Sequence, residues 1–270
     1  MTADPSANAD IQRERNRQRF DAWDASEPHR RKLTGEVARG FDPAAAPRLL
    51  VLGAGPLVDL DLPGLLKTFA GITLVDLDAE TLPGAVARQL PGGDVRVATR
   101  GGIDLLPADP DAPSEPTAVP DLGGPFDCVV SPALLTQLIE TALGRLGRER
   151  PGAGAFAEAV TIGHLRTMMG LLKPGGVGLL VTDLFSGVTA PGLADWTADE
   201  VPARVEAELA RGNIYHGVHP RHLIRTLRHR AAFVGGPASV QLLKPWVWHT
   251  DHRAFAMTGV KFKMKAEAPA

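Results

Sequence analysis

Five short apolar runs punctuate the middle of the chain: LLVLG, ITLVD, DVRVA, FDCVVS and VGLLVTD, starting at Leu49, Ile72, Asp94, Phe126 and Val177 and flanked by Gly or Pro. They are apolar nearly throughout instead of alternating. That is the pattern of strands buried on both faces, so it predicts a parallel sheet with helices on either side. Helix-length segments separate or follow the runs: Glu80 to Leu90, Ala133 to about Leu146, Phe156 to Leu172 closed by the Lys173-Pro-Gly-Gly176 turn, Ala198 to Arg211, and Pro220 to His229. The last two apolar stretches, SVQLLKPWVW and RAFAMTGVKFKM, are joined by HTDH and predict a terminal antiparallel hairpin. Trp246 and Trp248 share one strand face there, suited to a core or a partner surface.

Three segments break the pattern. Pro107 to Pro125 is too rich in Pro, Asp and Gly for a helix and reads as a long surface loop. RERPGAGA and Phe185 to about Asp195 read as shorter loops. Ahead of the first strand, Gln12 to Arg39 alternates charge around Phe20, Trp23, Leu33 and Val37, which suggests two amphipathic helices broken around Pro28. The chain thus divides into an N-terminal helical extension, residues 1–46, and one α/β domain, residues 47–270. The fold class expected is a doubly wound, mostly parallel seven-stranded sheet ending in an antiparallel hairpin.

With 270 residues, 44% of them hydrophobic and 22% charged, the chain can bury a sizeable core unaided, which excludes a disordered protein. No run of about 18 apolar residues escapes charge or Pro, and MTADPSANAD has neither a basic start nor an apolar stretch, so a cytoplasmic protein without a membrane span is expected. A lone cysteine, Cys128, can form no internal disulfide. The net charge of -2 conceals a basic end: Arg211 to Lys265 holds ten Lys or Arg against one acid, Asp251. This is a solvated face or an anion-attracting one. At 5%, aromatics are sparse for stacking on bases, which argues against nucleic acid as a partner.

In a parallel sheet the ligand crevice lies beyond the carboxyl ends of the strands, so the loops after strands one, two and four should line one site. Gly53 and Gly55 stand in the first of these. Without Cβ they permit a tight turn and close approach of a ligand, or serve the turn alone. Asp76 ends the second apolar run, 23 positions after Gly53, near the interval at which a carboxylate meets ribose hydroxyls. Capping the next helix is the competing role, better suited to Asp78.

LLVLGAGP, LVDLD, FDCVVS and LLKPGGVGLLVTD, in that order and spacing, resemble the first, second, fourth and fifth strands of the class I S-adenosylmethionine-dependent methyltransferase family, from about Arg48 to Lys265. The resemblance implies a Rossmann-like fold, S-adenosylmethionine as cofactor, and methyl transfer to a small-molecule acceptor. It implies cofactor contacts from Gly53, Ala54, Gly55 and Asp76, with Leu77 against the adenine, Ile103 and Asp104 at its edge, and Ser131 near the methionine part or the substrate. Departures are visible too: Leu57 replaces the third glycine of the loop and Val51 the acid within the first strand. A nicotinamide-type G-x-G-x-x-G would require Gly or Ala at Val58. Asp59 and Asp61 could meet the cofactor's ammonium or cap a helix, and Trp23 could cap the crevice.

Substrate recognition is expected from NIYHGVHP, through Asn213, Tyr215 and His216, although packing is the alternative for the chain's only Tyr. His216, His219 and His222 are spaced by threes, but Pro220 separates loop from helix, so no metal site is implied. Methyl transfer needs chiefly alignment and water exclusion, and no acid-base triad stands out. Two other functions stay open: a cofactor-binding or regulatory module without transfer activity, motivated by Leu57 and Val51, and a nucleic-acid methyltransferase using the basic C-terminal segment, against which the single proline of SPAL argues.

Overall fold

A computed structural model describes residues 5–107, 109–146, 151–229 and 236–267. The first four residues of the extension and residues 147–150, which include the start of the RERPGAGA loop, lie outside it. The five apolar runs form β1 (Arg48–Leu52), β2 (Gly71–Val75), β3 (Val97–Arg100), β4 (Phe126–Pro132) and β5 (Leu172–Ser186), all parallel where they pair. The C-terminal segments form β6 (Ser239–Leu242), β7 (Trp246–His249) and β8 (Ala254–Lys263). Strand order is β3-β2-β1-β4-β5-β8-β6, with β7 also on β8, and β8 is antiparallel to all three of its partners. This is the doubly wound, Rossmann-like sheet expected, with the antiparallel strands at one edge.

Two boundaries differ from the sequence reading. The first hairpin arm is interrupted, because Pro245 has no N–H for the ladder; β6 and β7 therefore lie as two pieces along the same flank of β8 and together occupy the seventh place in the sheet. The Lys173-Pro-Gly-Gly176 segment does not close a helix. Opposite β4, Phe126 pairs with Leu172 and Cys128 with Val177, so these residues bulge out of β5 with Gly175 at φ +76°.

The helices are α1 (Pro5–Phe20), α2 (Glu27–Ala38), α3 (Leu62–Leu65), α4 (Thr81–Gln89), α5 (Leu135–Leu146), α6 (Ala153–Gly170), α7 (Val201–Ala210) and α8 (Pro220–Arg228). The break between α1 and α2 falls at residues 21–26; Pro28 opens α2, where its missing N–H is no loss. The 107–125 loop is more than surface. Thr117 N–H donates to Thr167 Oγ1 of α6 at 2.8 Å, and Leu122 is buried.

Alternate residues of β1 enter different cores. Leu50 and Leu52 pack with Leu135, Ile139 and Val160, whereas Leu49 and Val51 pack with Leu33 and Val37 of α2, Leu57 and Trp246. The extension is fastened to this second core through a polar network. Trp246 Nε1 donates to His29 Nδ1 at 2.9 Å, which leaves the ring proton on Nε2 to donate to Asp59 Oδ1 at 2.8 Å. His29 stacks on Trp248 at 4.6 Å, and Trp248 Nε1 donates to Ser26 Oγ at 3.0 Å. Trp246 and Trp248 are therefore core residues, and Asp59 serves His29. Removing the ring would strand a buried carboxylate and an indole N–H, so His29→Ala should lower the unfolding free energy by about 3 kcal/mol in urea titrations.

Candidate functional site

Beyond β1 the chain folds back over the tip of β2: Gly53 and Ala54 N–H both donate to Val75 O at 2.9 Å. Gly53 and Gly55 have φ of +73° and +49°, backbone that glycine adopts freely. Leu57 is also left-handed, at φ +55°, yet only 1% exposed. Its side chain points into the core containing Leu33 and Val51 and away from the crevice. The strain, on the order of 1 kcal/mol, is offset by burying a leucine, on the order of 2 kcal/mol. Leu57 thus keeps the loop bend without filling the hollow.

Asp76 follows β2 and is 3% exposed. Its Oδ2 accepts from Gly55 N at 2.8 Å, and its Oδ1 from Asp78 N at 2.9 Å. A Cβ at Gly55 would stand 3.9 Å from that Oδ2 and 3.1 Å from Asn16 Oδ1, so glycine lets the loop close onto the carboxylate. Burial pushes the Asp76 carboxyl above the usual range, against the pull of these hydrogen bonds. Asp78 serves the helix instead: its Oδ1 accepts from Glu80 and Thr81 N–H ahead of α4.

The sequence places a helix in the N-terminal extension but does not bring Asn16 to the site. Asn16, 1% exposed, donates its amide to Asp76 Oδ1 at 3.4 Å and to Asp78 Oδ2 at 3.1 Å, so an N-terminal helix lies across the crevice. Arg13 adds an ion pair to Glu80 at 3.1 Å. Beneath α1 a hollow of about 40 Å³ persists, lined by Gly53, Asp76, Leu77, Ile103 and Asp104 together with Asn8, Gln12, Leu134 and Gln137. Two buried polar atoms facing it, Asn8 Nδ2 and Gln137 Oε1, have no hydrogen-bond partner among the described residues.

A larger hollow, about 540 Å³, adjoins the first across Arg15 and Gln137. Thr136, Asp183, Tyr215 and Arg253 are among its walls. Asp183 Oδ1 accepts from Thr136 Oγ1 at 2.5 Å, and burial raises its carboxyl pKa.

Several expected site residues are elsewhere. Ala54 is buried in the core on the α2 side of the sheet. Ser131 is fully buried, its hydroxyl 2.9 Å from His164 Nε2, and lines neither hollow. Asn213 donates to Glu208 Oε2 at 2.8 Å and Thr189 O at 3.1 Å; His216 is exposed away from both hollows, and only Tyr215 of that trio faces one. Trp23 packs under Arg30, 3.5 Å from ring centre to guanidinium, and does not cap the crevice. His219 caps α8, while His222 sits 3.7 Å from Glu158. No three His, Cys, Asp or Glu side chains converge as metal ligands among the described residues, and no helix there is long and apolar enough to cross a membrane.

No protein-family model and no curated protein matches the chain. Among solved structures, it is similar to the N-methyltransferase NodS from Bradyrhizobium japonicum WM9 in complex with S-adenosylhomocysteine, at 11% identity over 94% of this chain and 98% of that one, with a TM-score of 0.48. The 1,6-didemethyltoxoflavin-N1-methyltransferase of Burkholderia thailandensis, with its substrate and S-adenosylhomocysteine bound, is similar at 15% identity over 98% and 92%, with a TM-score of 0.47. These likenesses are distant, and the fold stands on the strand order above.

Burial pushes His164 down to about 4, and its Nδ1 has no partner among the described residues. The unfolded chain, with a histidine near 6.5, binds a proton in that interval that the folded chain refuses. Stability should therefore be full above pH 6.5 and fall by about 3 kcal/mol on acidification toward pH 4. Urea midpoints measured across this range for wild type and His164→Gln check it: the variant should lose this component of the slope.

Proposed function

We propose that the chain is an S-adenosylmethionine-dependent methyltransferase acting on a small molecule. The reading rests on one arrangement: Asp76 at the tip of β2, against the Gly53–Gly55 bend, opening onto a hollow edged by Leu77, Ile103 and Asp104. The Asp76 carboxylate can accept from both hydroxyls of a ribose once Asn16 withdraws. Leu77 and Ile103 offer apolar walls to an adenine, and Asp104 an acceptor for its amino group. The orphaned Asn8 Nδ2 and Gln137 Oε1 supply a donor and an acceptor in the same hollow. These groups fit the cofactor, but the space does not until α1 shifts, because about 40 Å³ holds little more than a water or two.

When bound, the cofactor supplies an electrophilic methyl on sulfur, so the protein's task is alignment and exclusion of water. Gly53 and Gly55 let the backbone approach closely, and α1 provides the cover. The alternative of a binding module without transfer activity draws on the Asn16 contact, since an amide already sits on the carboxylate that a ribose would need. Release of S-adenosylhomocysteine with any acceptor excludes that alternative.

Calorimetry with S-adenosylmethionine should give saturable binding. Asp76→Ala, which removes charge-assisted hydrogen bonds of about 2 kcal/mol, should weaken it some 30-fold. Asn16→Ala should tighten binding several-fold by removing the competitor, and a wild-type chain that does not bind overturns the proposal.

A further inference from the structure

The larger hollow has an unusual pairing of charges. Asp183, near the carboxyl end of β5 and partly buried, lines it, with one carboxylate oxygen held by Thr136. On the walls stand Arg19 from α1 and the exposed Arg253 from the turn before β8, with the exposed acids Glu140 and Asp251 at the solvent side; neither guanidinium has a carboxylate within ion-pair distance among the described residues, although the charge of Arg19 opposes the rise of the Asp183 pKa. Arg19 is instead held over the Trp248 ring at 5.4 Å. Tyr215 and Phe255 supply aromatic surface. Gln137, whose Oε1 is buried without a partner, forms part of the wall of both this hollow and the nucleoside crevice, so a molecule in one would lie beside a molecule in the other.

We propose that this hollow is the acceptor site and that it takes a small aromatic acid: an anionic group paired with Arg19 and Arg253, and an N–H or O–H nucleophile presented to Asp183. This rests on the methyltransferase reading above. An oxygen acceptor gives its proton to the Asp183 carboxylate as the freed electron pair forms the bond to the methyl carbon, whereas a nitrogen acceptor attacks with its lone pair and passes a proton to Asp183 once the bond has formed. The pair of the broken carbon–sulfur bond stays on sulfur, which becomes a neutral thioether. Asp183 is then the catalytic base, and the Thr136 hydroxyl is the positioning group that holds its other oxygen. Burial raises the Asp183 carboxyl and so makes it a better proton acceptor than an exposed carboxylate. Arg19, half-buried and without a carboxylate of its own, favours an anion over its neutral analogue, with Arg253 adding to it, while Glu140 and Asp251 are exposed to water and screened.

The probes are 4-hydroxybenzoate and 4-aminobenzoate, with the corresponding benzamides as uncharged controls. Binding is measured by calorimetry on the full chain with S-adenosylhomocysteine present, and separately S-adenosylmethionine binding is measured alone. The acids should bind at least 10-fold more tightly than the amides, and Arg19→Ala should remove that preference. Asp183→Asn should keep acid binding within a few-fold while lowering the methylation rate at least 100-fold. Equal binding of acids and amides, no binding of either, or an Arg19→Ala variant that retains the preference overturns the proposal. If S-adenosylmethionine binds and the acids do not, the acceptor assignment fails alone; if the acids bind and S-adenosylmethionine does not, the methyltransferase reading fails and the hollow is an anion site of another kind.

Discussion

Everything at the carboxyl edge of this sheet is arranged around one buried carboxylate. Asp76 has left water almost completely, which for an unpartnered ion would cost several kcal/mol. It is compensated by donors from three separate parts of the chain: the Gly55 amide after β1, the Asp78 amide after β2, and the Asn16 side chain of α1. Because each donor must stand at hydrogen-bond distance, the carboxylate fixes where the glycine bend, the start of α4 and the N-terminal helix sit relative to one another. Burial still raises its pKa against the pull of these donors.

The same economy explains how the loop tolerates Leu57. A left-handed residue with a side chain must put that side chain somewhere, and the sheet has two cores on which to place it. Leu57 falls on the face covered by α2 and α3, opposite the crevice. Packing on one face of the sheet therefore stabilises the backbone shape that the other face uses. The His29–Asp59–Trp246 network has a parallel consequence, since it anchors α2 to β7 and with it fixes the root from which α1 reaches across.

The sheet was legible in the sequence because burial on both faces leaves a continuous apolar run, and β1, β2, β4 and β5 each carry one. The hairpin's interruption was signalled by Pro245 but masked by the apolar residues on both sides of it. Gly53 and Asp76 could be placed at strand ends from local spacing, whereas Leu77, Ile103 and Asp104 came into view only through the family resemblance. Asn16 could not, since it lies 60 residues from Asp76 and nothing in a charged amphipathic helix says which face will cover what. Ser131 shows the converse limit. A residue at the right strand end turned inward toward His164, because a strand's last residues alternate between the core and the crevice and the bend decides which. Asp183 sat in a family-like segment without attracting notice, since a single acid at a strand tip has no pattern of its own.

Asn16 also sets the terms on which any nucleoside could bind. Exchanging an amide donor for ribose hydroxyls on the same carboxylate swaps like for like and yields little net energy, as replacement of one hydrogen bond by another generally does. The affinity has to come from what the exchange uncovers: apolar area against Leu77 and Ile103, and partners for Asn8 Nδ2 and Gln137 Oε1, which have none among the described residues. Against this stands the cost of holding α1 away from Asp78 and Glu80, and every 1.4 kcal/mol of that cost lowers apparent affinity tenfold. Arg15 and Arg19 ride on the same helix as Asn16, so the movement that admits a nucleoside also reshapes the wall of the neighbouring hollow. If both hollows are ligand sites, their occupancy is coupled through this one helix, and the sign of the coupling follows from whether Arg19 still reaches an acceptor's anionic group once α1 has moved.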